Sequence, residues 1–178
     1  ITHVFTVDVA FDERLDALKT LMEHARVVVI DHHPVYNKLS SERLLLLKPQ
    51  LLWNDKDPAA YASSKLVYDL VRHVADVSDL AWVACIGIIG DCAGDRWKQF
   101  LEGVFKRYGL VYRKDLFATD IGKVAALISN VGSYDVRMMD DCFSVLYRAR
   151  LPFDVFVPTL CAVDKLVGHE IKKYLRRF

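Results

Sequence analysis

The sequence predicts an α/β fold: a mostly parallel sheet flanked by helices, followed by a helical lobe. Three observations carry that prediction. The first thirty residues run strand, helix, strand. Apolar stems end abruptly in carboxylates at Asp8, Asp31 and Asp91. Beyond residue 96 the apolar residues recur at helical spacing, punctuated by Gly109, Gly132 and Pro152. The expected division is an α/β core over residues 1–95 and a helical lobe with the start of a linker helix over 96–178.

Taken in order, "HVFTVDVA" is rich in β-branched residues and reads as a short buried strand ending at Asp8. "FDERLDALKTLMEHA" follows with Asp12 as the expected N-cap and Leu15, Leu18, Leu21, Met22 and Ala25 at helical spacing. "RVVVI" returns as a strand. Such units give parallel neighbours, whose ligands sit off the carboxyl ends of the strands. "LLLLKPQLLWN" predicts a further short strand broken by Pro49. Asp57 and Pro58 have cap and first-turn chemistry for a helix running to about Asp76. "LAWVACIGIIGD" is an uninterrupted apolar run whose length suits a buried helix. Four helical segments complete the chain: "DRWKQFLEGVFKRYG", with Asp95 as its expected N-cap, "DIGKVAALISNVG", "VRMMDDCFSVLYRAR" and "CAVDKLVGHEIKKYLRRF".

Composition narrows the function. Apolar residues make up 53% and charged residues 26%, an ordinary globular balance. Lys and Arg number 24 against 23 Asp and Glu, so no global field draws the chain to polyanions or membranes. No run reaches the roughly 20 apolar residues of a membrane span, and nothing at the start reads as a signal peptide. Cys85, Cys92, Cys142 and Cys161 lack CxxC spacing and read as reduced, structural thiols of a cytoplasmic protein. His3, His24, His73 and His169 read as structural, and Trp53, Trp82 and Trp97 as core. The basic tail "KKYLRRF" reads as a solvated helix face, with Tyr174 and Phe178 as its aromatic members.

The chemistry gathers at three polar tips: Asp8, the triplet Asp31, His32 and His33, and the "GDCAGD" segment with Asp91. Carboxylates and imidazoles on rigid strand ends suit hard-to-borderline divalent ions, and a mixed Asp/His set suits Mn²⁺ best, with Mg²⁺ as the alternative.

"VVVIDHHP" resembles the signature of the DHH phosphoesterase superfamily. Its members include RecJ-type single-strand exonucleases, oligonucleotide phosphodiesterases and family II pyrophosphatases. "FTVDVA" and "IGIIGD", which place Asp8 23 residues before Asp31 and Asp91 60 residues after it, match the family's flanking motifs in order. The helix with a small-Ser pair is similar to "AYASSKLVYDL". The resemblance covers about residues 1–95. It implies that Asp8 bridges two metal ions, that His32 and Asp91 ligate the second, that His33 faces the substrate phosphate, and that Asp31 orients a histidine. Ser63 and Ser64 read as helix-packing residues near the site, with a contact to the substrate phosphate as the alternative. The family's first motif, a His/Asp-x-Asp cluster on an earlier strand, has no counterpart here, so the expectation is a fragment lacking that strand.

The helical lobe resembles the archaeal RecJ-like branch more than the pyrophosphatases, which implies a single-strand exonuclease acting on DNA or RNA, with replication or repair proteins as partners. Two alternatives stand beside it. One is a small-substrate phosphatase, oligonucleotide phosphodiesterase or pyrophosphatase. The other is a catalytically degenerate replication scaffold.

Overall fold

The computed structural model describes residues 2–53 and 57–176. It divides into two compact units, Ile1–Lys98 and Gln99–Phe178. No helix among the described residues is long and apolar enough to cross a membrane.

The first unit is built on a three-stranded, all-parallel sheet of order β1 (His3–Val7), β2 (Arg26–Ile30), β3 (Leu44–Leu47). Helix α1 (Leu15–His24) joins β1 to β2. The strands are in register as Phe5, Val28 and Leu45, then Val7, Ile30 and Leu47. Because side chains alternate across a strand, β2 serves two cores. On one face Val27 and Val29 pack with Leu18 of α1, closed by Phe11, Leu21 and Met22. On the other, Ile30 packs with Tyr61 and Leu66. Each fully buried side chain of this kind contributes about 1.5–3 kcal/mol.

The remaining elements are short: α2 (Pro49–Leu52), α3 (Ser63–Val71) and α4 (Ala81–Gly90). Helix α4 is the apolar run of the sequence, with Trp82, Cys85, Ile88 and Ile89 buried. It lies against α3, where a Cβ at Gly87 would come 2.6 Å from Ser64 Cβ. Only glycine permits that approach.

Several expectations need correction. β1 is an edge strand, not a buried one, with Phe5 63% exposed. Asp12 does not cap α1: it lies in a 3-10 turn (Phe11–Glu13), wholly buried, and the helix begins at Leu15. Asp57 caps a 3-10 turn (Pro58–Ala60), while α3 itself starts at Ser63 and stops at Val71 rather than near Asp76. Val74 is 85% exposed, so no apolar contact rewards a further turn. Helix α5 (Lys98–Arg107) begins after the turn that contains Asp95, which therefore is not its cap. Trp82 is core, but Trp53 is 56% exposed. Cys92 is exposed, unlike the buried Cys85 and Cys142.

The second unit is helical: α5, α6 (Asp120–Tyr134), α7 (Met139–Arg148) and α8 (Pro158–Leu175). Thr119 caps α6 by accepting the Gly122 N–H at 3.1 Å. Helices α6 and α8 pack together, and Asn130 donates to Asp164 at 2.7 Å between them. Phe178 of the basic tail lies outside the described residues, whereas Tyr174 is exposed at the end of α8.

Candidate functional site

The three polar tips meet at the carboxyl edge of the sheet. Asp8 directly follows β1, and its N–H still donates to Ile30 O at 3.0 Å. Asp31 directly follows β2, and its N–H donates to Leu47 O at 3.1 Å. Asp91 is the C-cap of α4. Each site residue is therefore fixed by the last backbone bond of a regular element.

His32 stands at the centre. Its Nε2 lies 3.4 Å from Asp8 Oδ1 and 3.9 Å from Asp91 Oδ2. Asp8, His32 and His33 each offer one ligand atom, all within 4.8 Å of one another. The group within one ion's reach is therefore Asp8, His32 and His33, not the expected Asp8, His32 and Asp91; Asp91 stands outside it and approaches through His32. The group's donors are oxygen and imidazole nitrogen, the set that suits a hard-to-borderline divalent ion.

Burial dominates the electrostatics of Asp91. Burial pushes the Asp91 carboxyl up from its ordinary pKa, and the Asp8 charge adds to that rise, while His32 and His33 oppose it. The negative end of the α4 macrodipole also points at Asp91. Two carboxylates and a helix C-terminus thus approach His32 from different elements.

The backbone is strained at two points of this edge. Asp8 has φ 59° and Cys92 φ 56°, both in the left-handed region that non-glycine residues rarely adopt. At Cys92 the cause is plain. Its N–H donates to Ile89 O at 3.1 Å, and the Ala93 N–H to Ile88 O at 2.9 Å, so α4 ends in a Schellman turn with cysteine where glycine is usual. This turn sets the direction of Asp91.

Asp31 is not a member of the cluster but holds it. The residue is wholly buried, and its Oδ1 accepts from His33 Nδ1 at 2.7 Å. Burial alone would raise its pKa, but the hydrogen bonds from His33 and Lys48, with the Lys48 charge, outweigh burial and leave the carboxyl below its ordinary value. Asp31 is thus an anion that accepts. It keeps a proton on His33 Nδ1 and leaves Nε2 as the other ring nitrogen, the arrangement by which a carboxylate orients a functional imidazole.

Sequence reasoning missed the residue beneath this dyad. Lys48 is 0% exposed, with Nζ 2.6 Å from Asp12 Oδ1 and 2.9 Å from Asp31 Oδ2. It also donates to Pro34 O at 2.8 Å and His33 O at 3.3 Å. Asp12 in turn accepts from the Tyr36 N–H at 2.8 Å, and Gln50 Oε1 from the Val35 N–H at 2.7 Å. Residues 33–37 are clamped to the sheet through these groups. The available signal was a single lysine at the end of "LLLL", a place where a buried cation needs an anion.

The serines divide. Ser64 Oγ donates to Ala84 O at 3.1 Å, so its hydroxyl serves the α3–α4 packing rather than a substrate. Ser63 is 1% exposed and its Oγ has no hydrogen-bond partner among the described residues. No family model matches the chain, no curated protein matches it, and no solved structure matches it.

Proposed function

We propose that the chain is a divalent-metal-dependent phosphoesterase that hydrolyses phosphodiester bonds, with single-stranded nucleic acid as its substrate. The observation that carries this reading is the convergence of Asp8, His32 and His33 within 4.8 Å, with Asp91 3.9 Å from His32 Nε2. The resemblance of "VVVIDHHP", "FTVDVA" and "IGIIGD" to DHH phosphoesterase motifs supports the choice of reaction.

Asp8 and His32 would hold the metal, Mn²⁺ or Mg²⁺. When bound it supplies Lewis acidity and lowers the pKa of an attacking water. The chain's own residues do the rest. Asp31 fixes the tautomer of His33, whose side chain is 44% exposed and therefore open to a substrate phosphate. Lys48 sets the position of the loop that carries both histidines. The rigid strand ends keep Asp8 and His32 from relaxing away when substrate arrives, which reduces the reorganisation needed in the transition state.

The test is incubation with Mn²⁺ and end-labelled single strands. Release of mononucleotides that is abolished by His32→Ala supports the proposal. Cleavage of pyrophosphate or a dinucleotide without mononucleotide release from the strand would contradict the substrate, and no hydrolysis of any of them would contradict the activity.

A further inference from the structure

A second feature adjoins the last residues of β2 and β3. Trp53 stacks on Tyr61 with ring centroids 5.6 Å apart and planes 3° from parallel. Tyr61 is 1% exposed and has the Arg96 guanidinium 3.9 Å from its ring centroid. Trp97 meets Tyr61 edge-on at 6.2 Å, and Lys65 Nζ lies 4.3 Å from the Trp97 ring centroid. Tyr61 is thus held by Trp97 and the Arg96 guanidinium, and Lys65 lies over Trp97 in turn. Trp53 itself remains 56% exposed. It borders a groove of about 220 Å³ whose floor includes Ile30 and Leu47, the last residues of β2 and β3.

Chain geometry ties this platform to both arms of the site. Arg96 follows Asp91 by five residues, so their Cα atoms are at most about 18 Å apart. On the other arm, Val35, two residues beyond His33, is hydrogen-bonded to Gln50 in the short helix that ends at Trp53.

We propose that Trp53 is the stacking platform for a nucleobase of a single-stranded nucleic acid. The inference rests on the phosphoesterase reading for the class of substrate. A half-exposed indole held against a buried ring offers a planar π-surface that any base can cover, and such stacking is the usual sequence-tolerant grip on single strands.

The experiment compares binding of two labelled probes of equal length, an oligothymidylate and a base-free abasic strand, by fluorescence anisotropy in chelator so that no cleavage occurs. The wild type is expected to bind the oligothymidylate about tenfold more tightly. Trp53→Ala should abolish the preference, and Trp53→Phe should retain most of it. Equal binding of both probes by the wild type, or an unchanged preference in Trp53→Ala, overturns the platform. Hydrolysis is followed separately with Mn²⁺. A persistent base preference without any hydrolysis supports the platform while counting against the phosphoesterase reading.

Discussion

Lys48 Nζ lies 2.9 Å from Asp31 Oδ2 in a place where neither side chain touches solvent. Two opposite charges buried together recover their desolvation cost only while both are present. Asp12, also wholly buried and 2.6 Å from the same nitrogen, makes the lysine the sole described cation facing two buried acids. Lys48→Met should therefore destabilise the chain by about 3–5 kcal/mol, the usual cost of stranding a buried charge. Urea unfolding checks this, and the double variant Lys48→Met with Asp31→Asn should regain part of the loss. A change under 1 kcal/mol for the single variant would show that the network does not hold the loop.

Asp31→Asn keeps the shape of the side chain and removes its charge. The amide no longer compels a proton onto His33 Nδ1, so the imidazole loses its fixed tautomer. Removal of such an orienting carboxylate typically costs 10–100-fold in activity or metal affinity. Steady-state hydrolysis and a Mn²⁺ titration on the variant measure both, and parity with the wild type in each would remove Asp31 from its positioning role.

Asp154 offers a pH test away from the site. Its carboxylate accepts the N–H groups of Leu151 and Arg150, both at 2.9 Å, and these bonds hold its pKa below the ordinary value. A depressed folded-state value means that the contribution is complete above the unfolded pKa of about 3.9 and is lost as pH falls through the folded one. The stability difference between wild type and Asp154→Asn should be constant near neutrality and shrink below about pH 4. A difference that does not change with pH would exclude the ionised cap.

The left-handed Cys92 predicts a stabilising substitution. A non-glycine residue in that conformation costs roughly 1–2 kcal/mol relative to glycine, offset in part by the greater unfolded freedom of glycine. Cys92→Gly should raise stability by about 1 kcal/mol in thermal unfolding, whereas Cys92→Val, β-branched at a positive φ, should lower it. Destabilisation by glycine would mean that the thiol makes a contact that matters more than the turn.

The site was legible wherever a polar residue interrupts an apolar stem. Asp8, Asp31, His32, His33 and Asp91 stand out because β-branched or apolar runs end at them, and a parallel sheet gathers its strand ends on one edge. Lys48 and Asp12 were not legible. Each carries an acid or base that is common at element ends for bland reasons, Asp12 as a cap and Lys48 beside a proline, and only the pairing of the two in space reveals their task. The same limit explains β1, since periodicity reports which residues are apolar but not whether a neighbour covers them. Trp53 reads as core from its surroundings in sequence, whereas it stacks on the buried Tyr61 and is itself 56% exposed.

The central claim is that Asp8 and His32 together grip a divalent cation. The most direct measurement is a Mn²⁺ titration followed by electron paramagnetic resonance, on the wild type and on Asp8→Asn, with circular dichroism to verify that both are folded. The account predicts that the wild type removes free Mn²⁺ from solution with saturation and that Asp8→Asn does not. Equal uptake by the two folded proteins, or none by either, would contradict it.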